Sequence, residues 1–219
     1  MKNVILISGF AFYILTSCSS VEKKPLPFYG ETETIVVKQS DGSEKQETQY
    51  LPIPKFYLIN QDSMPASRND FMGKVTIVDF FFTECPSICP MLTSQMARLQ
   101  EEFESAGLKD KIQLLSISVK PSSDTPRVLR EYAQRLGADT DNWTFLTGFA
   151  EDIYPLAQKG FFLTAFPSDS AQGGVFHTDQ VTLLDPEMKI RGYYEGTSTK
   201  AMDSLFIDSK YLISTEKKP

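Results

Sequence analysis

The chain has little of what several protein classes depend on. No cluster of lysines and arginines occurs: 22 basic residues stand against 28 acidic ones, for a net charge of −6. That balance argues against nucleic acid as a partner, since such binders carry a basic stripe or patch. The apolar run Val4–Leu15 is too short to span a bilayer comfortably as a helix. No internal repeat and no low-complexity tract is found. Histidine occurs once, as His177, and cysteine three times. The two cysteines that lie close together, Cys85 and Cys89, are not spaced C-x-x-C. Three residues separate them, one more than in the familiar redox pair.

What is present suits one globular domain with short appendages. Of 219 residues, 41% are hydrophobic and 23% charged. That is enough apolar material for a real core. With 16 Phe and 9 Tyr, little of the chain should be disordered. At the N-terminus, Lys2 precedes the apolar run, a pattern that reads as a secretory signal. The run ends in "LTSC", Leu15–Cys18, which resembles a bacterial lipobox. Residues 1–17 are therefore expected to be a lipoprotein signal peptide, with a lipid on Cys18. A lipid there would hold the domain on a membrane without a spanning helix. One blocked cysteine then leaves one pair in an exported protein. Residues 18–33, with two lysines and two prolines near their start, read as a tether. The expected placement is the bacterial cell envelope, facing the periplasm.

The rest, residues 34–215, reads as one α/β domain. Two polar runs flank "SDGS" at Ser40–Ser43, a hairpin signal, placed at residues 34–50 as an N-terminal decoration. "KVTIVDFFF", Lys74–Phe82, is nearly all apolar and reads as a central strand buried on both faces. Leu92, Met96, Leu99 and Phe103 then recur at helical spacing. Ile112–Val119 is a second buried strand. Asp124 or Thr125 caps the next helix, with Pro126 in its first turn. Shorter strands are expected at Phe56–Asn60 and Trp143–Leu146, a short helix at Ile153–Gln158, a hairpin over Gln180–Leu184 and Ile190–Glu195, and a last helix near Thr199–Leu212. This order matches a thioredoxin-like three-layer α/β sandwich.

The chemistry centres on "TECPSICP", Thr83–Pro90. Cys85 leaves the end of a central strand, where open α/β sheets bind ligands. Cys89 lies at or near a helix start, whose free N–H groups and positive dipole end favour thiolate. A thiolate serves as nucleophile or as metal ligand. Residues four apart on a helix lie about 6 Å apart at Cα, inside the disulfide window, so spacing alone leaves disulfide and metal both open. His177, in "GGVFHTDQVTLL", sits just ahead of a predicted strand. In this fold that loop lies beside the cysteines, where thioredoxin-type redox enzymes place a cis-proline. Pro167 is too far upstream to fill that role. Two sulfurs and an imidazole form a soft donor set that accepts Cu(I) or Cu(II). Zinc would also accept it, with a fourth position open. Met91 and Met96 are weaker candidates, and Met96 falls on the apolar stripe of its helix. Asp79 reads as structural or as a hydrogen-bonding neighbour of the site, and Glu84 as a solvated loop charge.

At these residues the sequence resembles the Sco/SenC family of copper-binding, thioredoxin-fold proteins. The resemblance covers about Ile53–Leu212. It rests on "VDFFFTECPSICPMLTSQMARLQ", on "DTP" within "LLSISVKPSSDTPRVLREYAQRLGA", on "NWTFLTG", on His177 and on "IRGYYEG". It implies that Cys85, Cys89 and His177 bind copper. It also implies a role as a membrane-tethered chaperone that helps assemble the dinuclear copper centre of a haem–copper oxidase. The partners implied are the copper-accepting oxidase subunit and a thioredoxin-like reductant. Two positions depart from the family: Phe176 stands where aspartate often precedes the histidine, and "KPSSDTP" where many members have "DPERDTP". Asp124 survives that change and is read as a helix cap. A thiol–disulfide oxidoreductase using Cys85 and Cys89 is the alternative, and a lipoprotein whose cysteines only staple a loop is a third. A peroxidase fits less well, because the proline and Thr/Ser positions of peroxiredoxins are here Val78 and Phe82.

Overall fold

The computed structural model describes residues 25–85 and 89–215. The signal peptide, Cys18, most of the tether's first half, and Pro86 lie outside the described residues. In chain order the elements are β1 (Thr32–Lys38), β2 (Glu44–Tyr50), β3 (Tyr57–Asn60), β4 (Pro65–Ser67), β5 (Val75–Phe81), α1 (Cys89–Ser105), β6 (Ile112–Ser118), α2 (Pro126–Leu136), β7 (Trp143–Thr147), α3 (Ala150–Pro155), β8 (Ala165–Pro167), β9 (Val175–His177), β10 (Gln180–Leu184), β11 (Ile190–Glu195) and α4 (Thr199–Thr215). A π-helical turn, Leu156–Gly160, extends α3.

A seven-stranded sheet forms the centre, in the order β11-β10-β5-β6-β7-β3-β4. β5, β6 and β7 run parallel and are joined through α1 and α2, while β10 lies antiparallel to β5. All seven residues of β5 and all seven of β6 are buried. Successive side chains of a strand point to opposite faces, so both faces of the sheet must be covered. Leu92, Met96, Leu99 and Phe103 form the buried stripe of α1. The Phe103 ring lies 4.8 Å from that of Phe206 on α4. This is the layered α/β arrangement expected of a thioredoxin-like fold.

α2 starts and stops where its sequence says. Thr125 is its N-cap and accepts from the Val128 N–H, Pro126 occupies the first turn, and Gly137 ends it at φ 67°, a left-handed conformation that glycine adopts without strain. Asp124 is not the cap. It turns inward and is fully buried, with a role described below. The "SDGS" hairpin forms as β1 and β2, paired from Thr32↔Tyr50 to Lys38↔Glu44 as a sheet of its own.

The last part of the expected tether is not loose. Arg191 of β11 donates to the carbonyls of Leu26 and Pro27 and stacks 3.9 Å over the Phe28 ring. The Tyr29 N–H donates to the Ile190 carbonyl. Arg191 is itself held by a buried ion pair with Asp185, 3.2 Å away. Three short strands went unforeseen: β4, and β8 with β9, which pair antiparallel as a ribbon separate from the main sheet with His177 as its last residue.

Candidate metal centre

Topology brings the three predicted ligands to one end of the sheet. Cys85 follows β5 by four residues, at the C-terminal end of the parallel strands, and Cys89 opens α1. β10 pairs Thr182 with Val78 and Leu184 with Thr76. The start of β10 therefore lies level with the end of β5. β9 feeds directly into β10, so His177 arrives over the cysteines. The ligand atoms of Cys85, Cys89 and His177 all lie within 4.8 Å of one another. Cys89 Sγ is 3.4 Å from His177 Nε2.

The histidine's tautomer follows from its other nitrogen. Nδ1 lies 2.9 Å from the Thr178 carbonyl oxygen. A carbonyl can only accept, so Nδ1 carries the proton and donates it there. Nε2 is left with its lone pair aimed at the sulfurs, the form in which imidazole binds metal. Burial pushes the His177 pKa down, which favours the same neutral state.

The cysteines are buried and not joined in a disulfide. The acidity of Cys89 departs from expectation. Burial, then a hydrogen bond with Cys85, pushes the Cys89 thiol well above its ordinary range, and the Phe82 backbone pulls the other way. Desolvation of a thiolate outweighs the helix end that was expected to favour it. Without a cation Cys89 is a thiol. A metal ion must displace its proton on binding, and supplies the positive charge that makes a buried thiolate tolerable. The donor set, two sulfurs and one lone-pair nitrogen, fits a soft ion.

Nearby residues hold this geometry. Asp124, expected as a helix cap, accepts from the Thr83 N–H (3.1 Å), the Thr83 hydroxyl (2.5 Å) and the Ser118 hydroxyl (2.5 Å). It pins the loop that leads to Cys85 onto the end of β6. Sequence offered no sign of this, because Asp124 and Thr125 are both good caps and only one can be used. Asp79 is buried, near enough for its charge to act on Cys89, and accepts from the Ser116 hydroxyl, which in turn accepts from Trp143 Nε1 at 2.9 Å. Burial raises Asp79 to about 7. Met96 is fully buried core, as its spacing implied, and Met91 is half-exposed. Glu84 is exposed and lies 3.7 Å from Lys120. Phe176, where the family often has aspartate, faces outward and stacks on Phe166 at 5.4 Å.

The sequence profile of the SCO1/SenC family matches residues 44–205. The chain belongs to the SCO1/SenC family. Three solved structures of that family are similar to it. A SCO1/SenC family lipoprotein from Bacillus anthracis is 33% identical, with TM-score 0.69 over 74% of this chain and 95% of that one. BsSco, described as a member of the Sco family of cytochrome c oxidase assembly proteins with a disulfide switch, is 29% identical, with TM-score 0.67 over 76% and 96%. Arabidopsis thaliana ScoI, solved with copper bound, is 27% identical, with TM-score 0.63 over 75% and 99%. These SCO1/SenC structures share the α/β fold described above. No helix among the described residues is long and apolar enough to cross a membrane.

Proposed function

We propose that this SCO1/SenC protein binds copper through Cys85, Cys89 and His177 and carries it as cargo to the copper-accepting subunit of a haem–copper oxidase. A lipid on Cys18 tethers the domain to a membrane of the bacterial envelope, facing the periplasm, and the domain works as a chaperone rather than as an enzyme. The observation that carries the reading is the convergence of two sulfurs and the Nε2 lone pair within 4.8 Å. The copper-bound relative and the oxidase-assembly relative support the cargo and its destination. Copper supplies the charge that stabilises the buried thiolates. The protein supplies the soft donors, the neutral imidazole and the apolar surroundings that keep water away from them.

The test is titration of the reduced soluble domain with Cu(I), followed by X-ray absorption. One ion per chain with sulfur and nitrogen neighbours is expected. Cys89→Ser removes a soft ligand and should abolish stoichiometric binding. His177→Ala should weaken binding and remove the nitrogen neighbour while the domain stays folded. Unchanged affinity in His177→Ala would refute the three-ligand site.

A second reading has an observation of its own. The two thiols are hydrogen-bonded to each other and not joined in a disulfide, and one relative is described as carrying a disulfide switch. As an oxidoreductase, the pair would give two electrons and two protons to a partner disulfide, leaving a dithiol there and a Cys85–Cys89 disulfide here. A reduction potential in the range of exchange enzymes, with fast exchange, would favour this reading. A potential well below that range would remove it.

A further inference from the structure

Phe82 joins β5 to the cysteine loop and is almost wholly buried. Its carbonyl accepts from the Cys85 N–H at 3.4 Å, and its backbone acts on the Cys89 thiol, pulling its pKa down against burial. Its ring meets His177 edge-on, with centroids 5.6 Å apart and planes at 79°. Lys120 Nζ lies 5.7 Å from the ring centroid. One residue thus contacts each of the three ligands, two through its backbone and one through its ring.

The ring has a further neighbour. Gly173, in the turn between β8 and β9, has φ 80°, and a Cβ placed there would lie 2.5 Å from Phe82 Cζ and 2.6 Å from Cε2. No real Cβ approaches an atom so closely, and a buried ring has little room to retreat. Gly174 has nearly the same φ, 81°, but a Cβ there would meet nothing within 4 Å. Both glycines have a positive φ, and only at Gly173 would a side chain meet the Phe82 ring.

We infer that Phe82 is the positioning residue of the metal site: its ring fixes where the β8–β9 ribbon closes and therefore where His177 Nε2 stands over the sulfurs. Gly173 is glycine so that the ribbon can come down onto that ring. This rests on the copper reading for its consequence, but the placement of the imidazole is testable without metal.

The single histidine makes the test direct, since the imidazole signals of the folded protein can only be those of His177. In the metal-free reduced domain, Gly173→Ala should move the His177 ring resonances and Gly174→Ala should leave them at wild-type positions. With Cu(I), Gly173→Ala should lose about 10- to 100-fold in affinity, the range seen when a ligand's orienting partner is lost. Gly174→Ala should stay within about threefold, its cost limited to backbone strain common to both variants. Phe82→Leu should also shift the His177 signals. Adding Gly173→Ala to it should cost little more, because the shorter side chain vacates the clash. Wild-type His177 resonances in Gly173→Ala, or equal shifts in the two glycine variants, would overturn the positioning role. Failure of the wild-type protein to bind Cu(I) would instead overturn the copper reading, with the resonance comparison still deciding the placement.

Discussion

Cys85 follows a strand whose seven residues are all buried, in the middle of a seven-stranded sheet. His177 ends a three-residue strand of a two-stranded ribbon that the main sheet does not include. On the cysteine side, Leu92, Met96 and Leu99 pack into the core, and Asp124 ties down the loop with three hydrogen bonds. On the histidine side, the aromatic pair Phe166 and Phe176 lies half-exposed. One part of the site is therefore held by the bulk of the fold, and the other by a short ribbon anchored through the buried Ala165 and Val175, a hydrogen bond from Gln158 and the Phe82 ring. Such a division suits a site that must grip an ion and also release it. Regions with few buried contacts open at lower free energy than the core, so the ligand set can part at the histidine while the cysteines stay in place.

The comparison can be broken by striking each side in turn. Asp124→Ala should do the most damage to stability. It leaves the Thr83 and Ser118 donors without their acceptor in a buried place, at a cost of about 3 kcal/mol in denaturant unfolding. It should also weaken metal binding, because the Cys85 loop loses its anchor. A loss in unfolding below about 1 kcal/mol would mean that the loop is held some other way.

A pH series sharpens the cysteine side. Asp79 titrates near 7 when folded, against 3.8 as its ordinary value. A carboxyl raised on folding binds its proton more tightly in the native state. The stability this brings is present below about pH 4 and is lost as pH rises through about 7. Asp79→Asn keeps an acceptor for the Ser116 hydroxyl and removes the titration. The variant should be more stable than wild type above pH 7, on the order of a few kcal/mol, with the difference shrinking toward pH 4. A difference independent of pH would show that the carboxyl is not the titrating group.

The smallest effect is expected on the ribbon. Phe166→Ala removes an exposed stacked pair and should cost about 1 kcal/mol or less in global stability. Hydrogen exchange in the β8–β9 amides should nonetheless speed up, with β5 and β6 unchanged. Equal changes in both regions would erase the distinction between them.

Much of this was legible in the sequence, for reasons that particular residues make plain. The apolar runs of β5 and β6 could only be strands buried on both faces. The stripe of α1 repeats at helical spacing, and Thr125, Pro126 and Gly137 bracket α2. The cysteine pair and the lone histidine could be placed at one sheet end once the element order was matched to a thioredoxin-like fold. What stayed hidden depends on distances across the fold. β8 and β9 are three residues each, too short for periodicity to register, and their pairing joins segments separated by the Ser168–Gly174 turn. Asp124 was misread because a cap and a buried acceptor look alike in sequence. The thiol's acidity was misjudged because the helix end is visible in the order of residues while burial is not. Phe82 looked like the last residue of a buried strand, and nothing local marks its ring as the surface on which another element rests.

The clamp at Arg191 has a consequence for how copies of the protein meet. A sheet edge with open N–H and C=O groups invites a second sheet to join it. β11, one edge of the main sheet, already has Tyr29 bonded at Ile190, held there by the segment that Arg191 grips. The other edge, β4, is three residues long and begins with Pro65, which has no N–H to offer. Crowded side by side, two such domains meet at blunted borders, and their main sheets are discouraged from fusing into one.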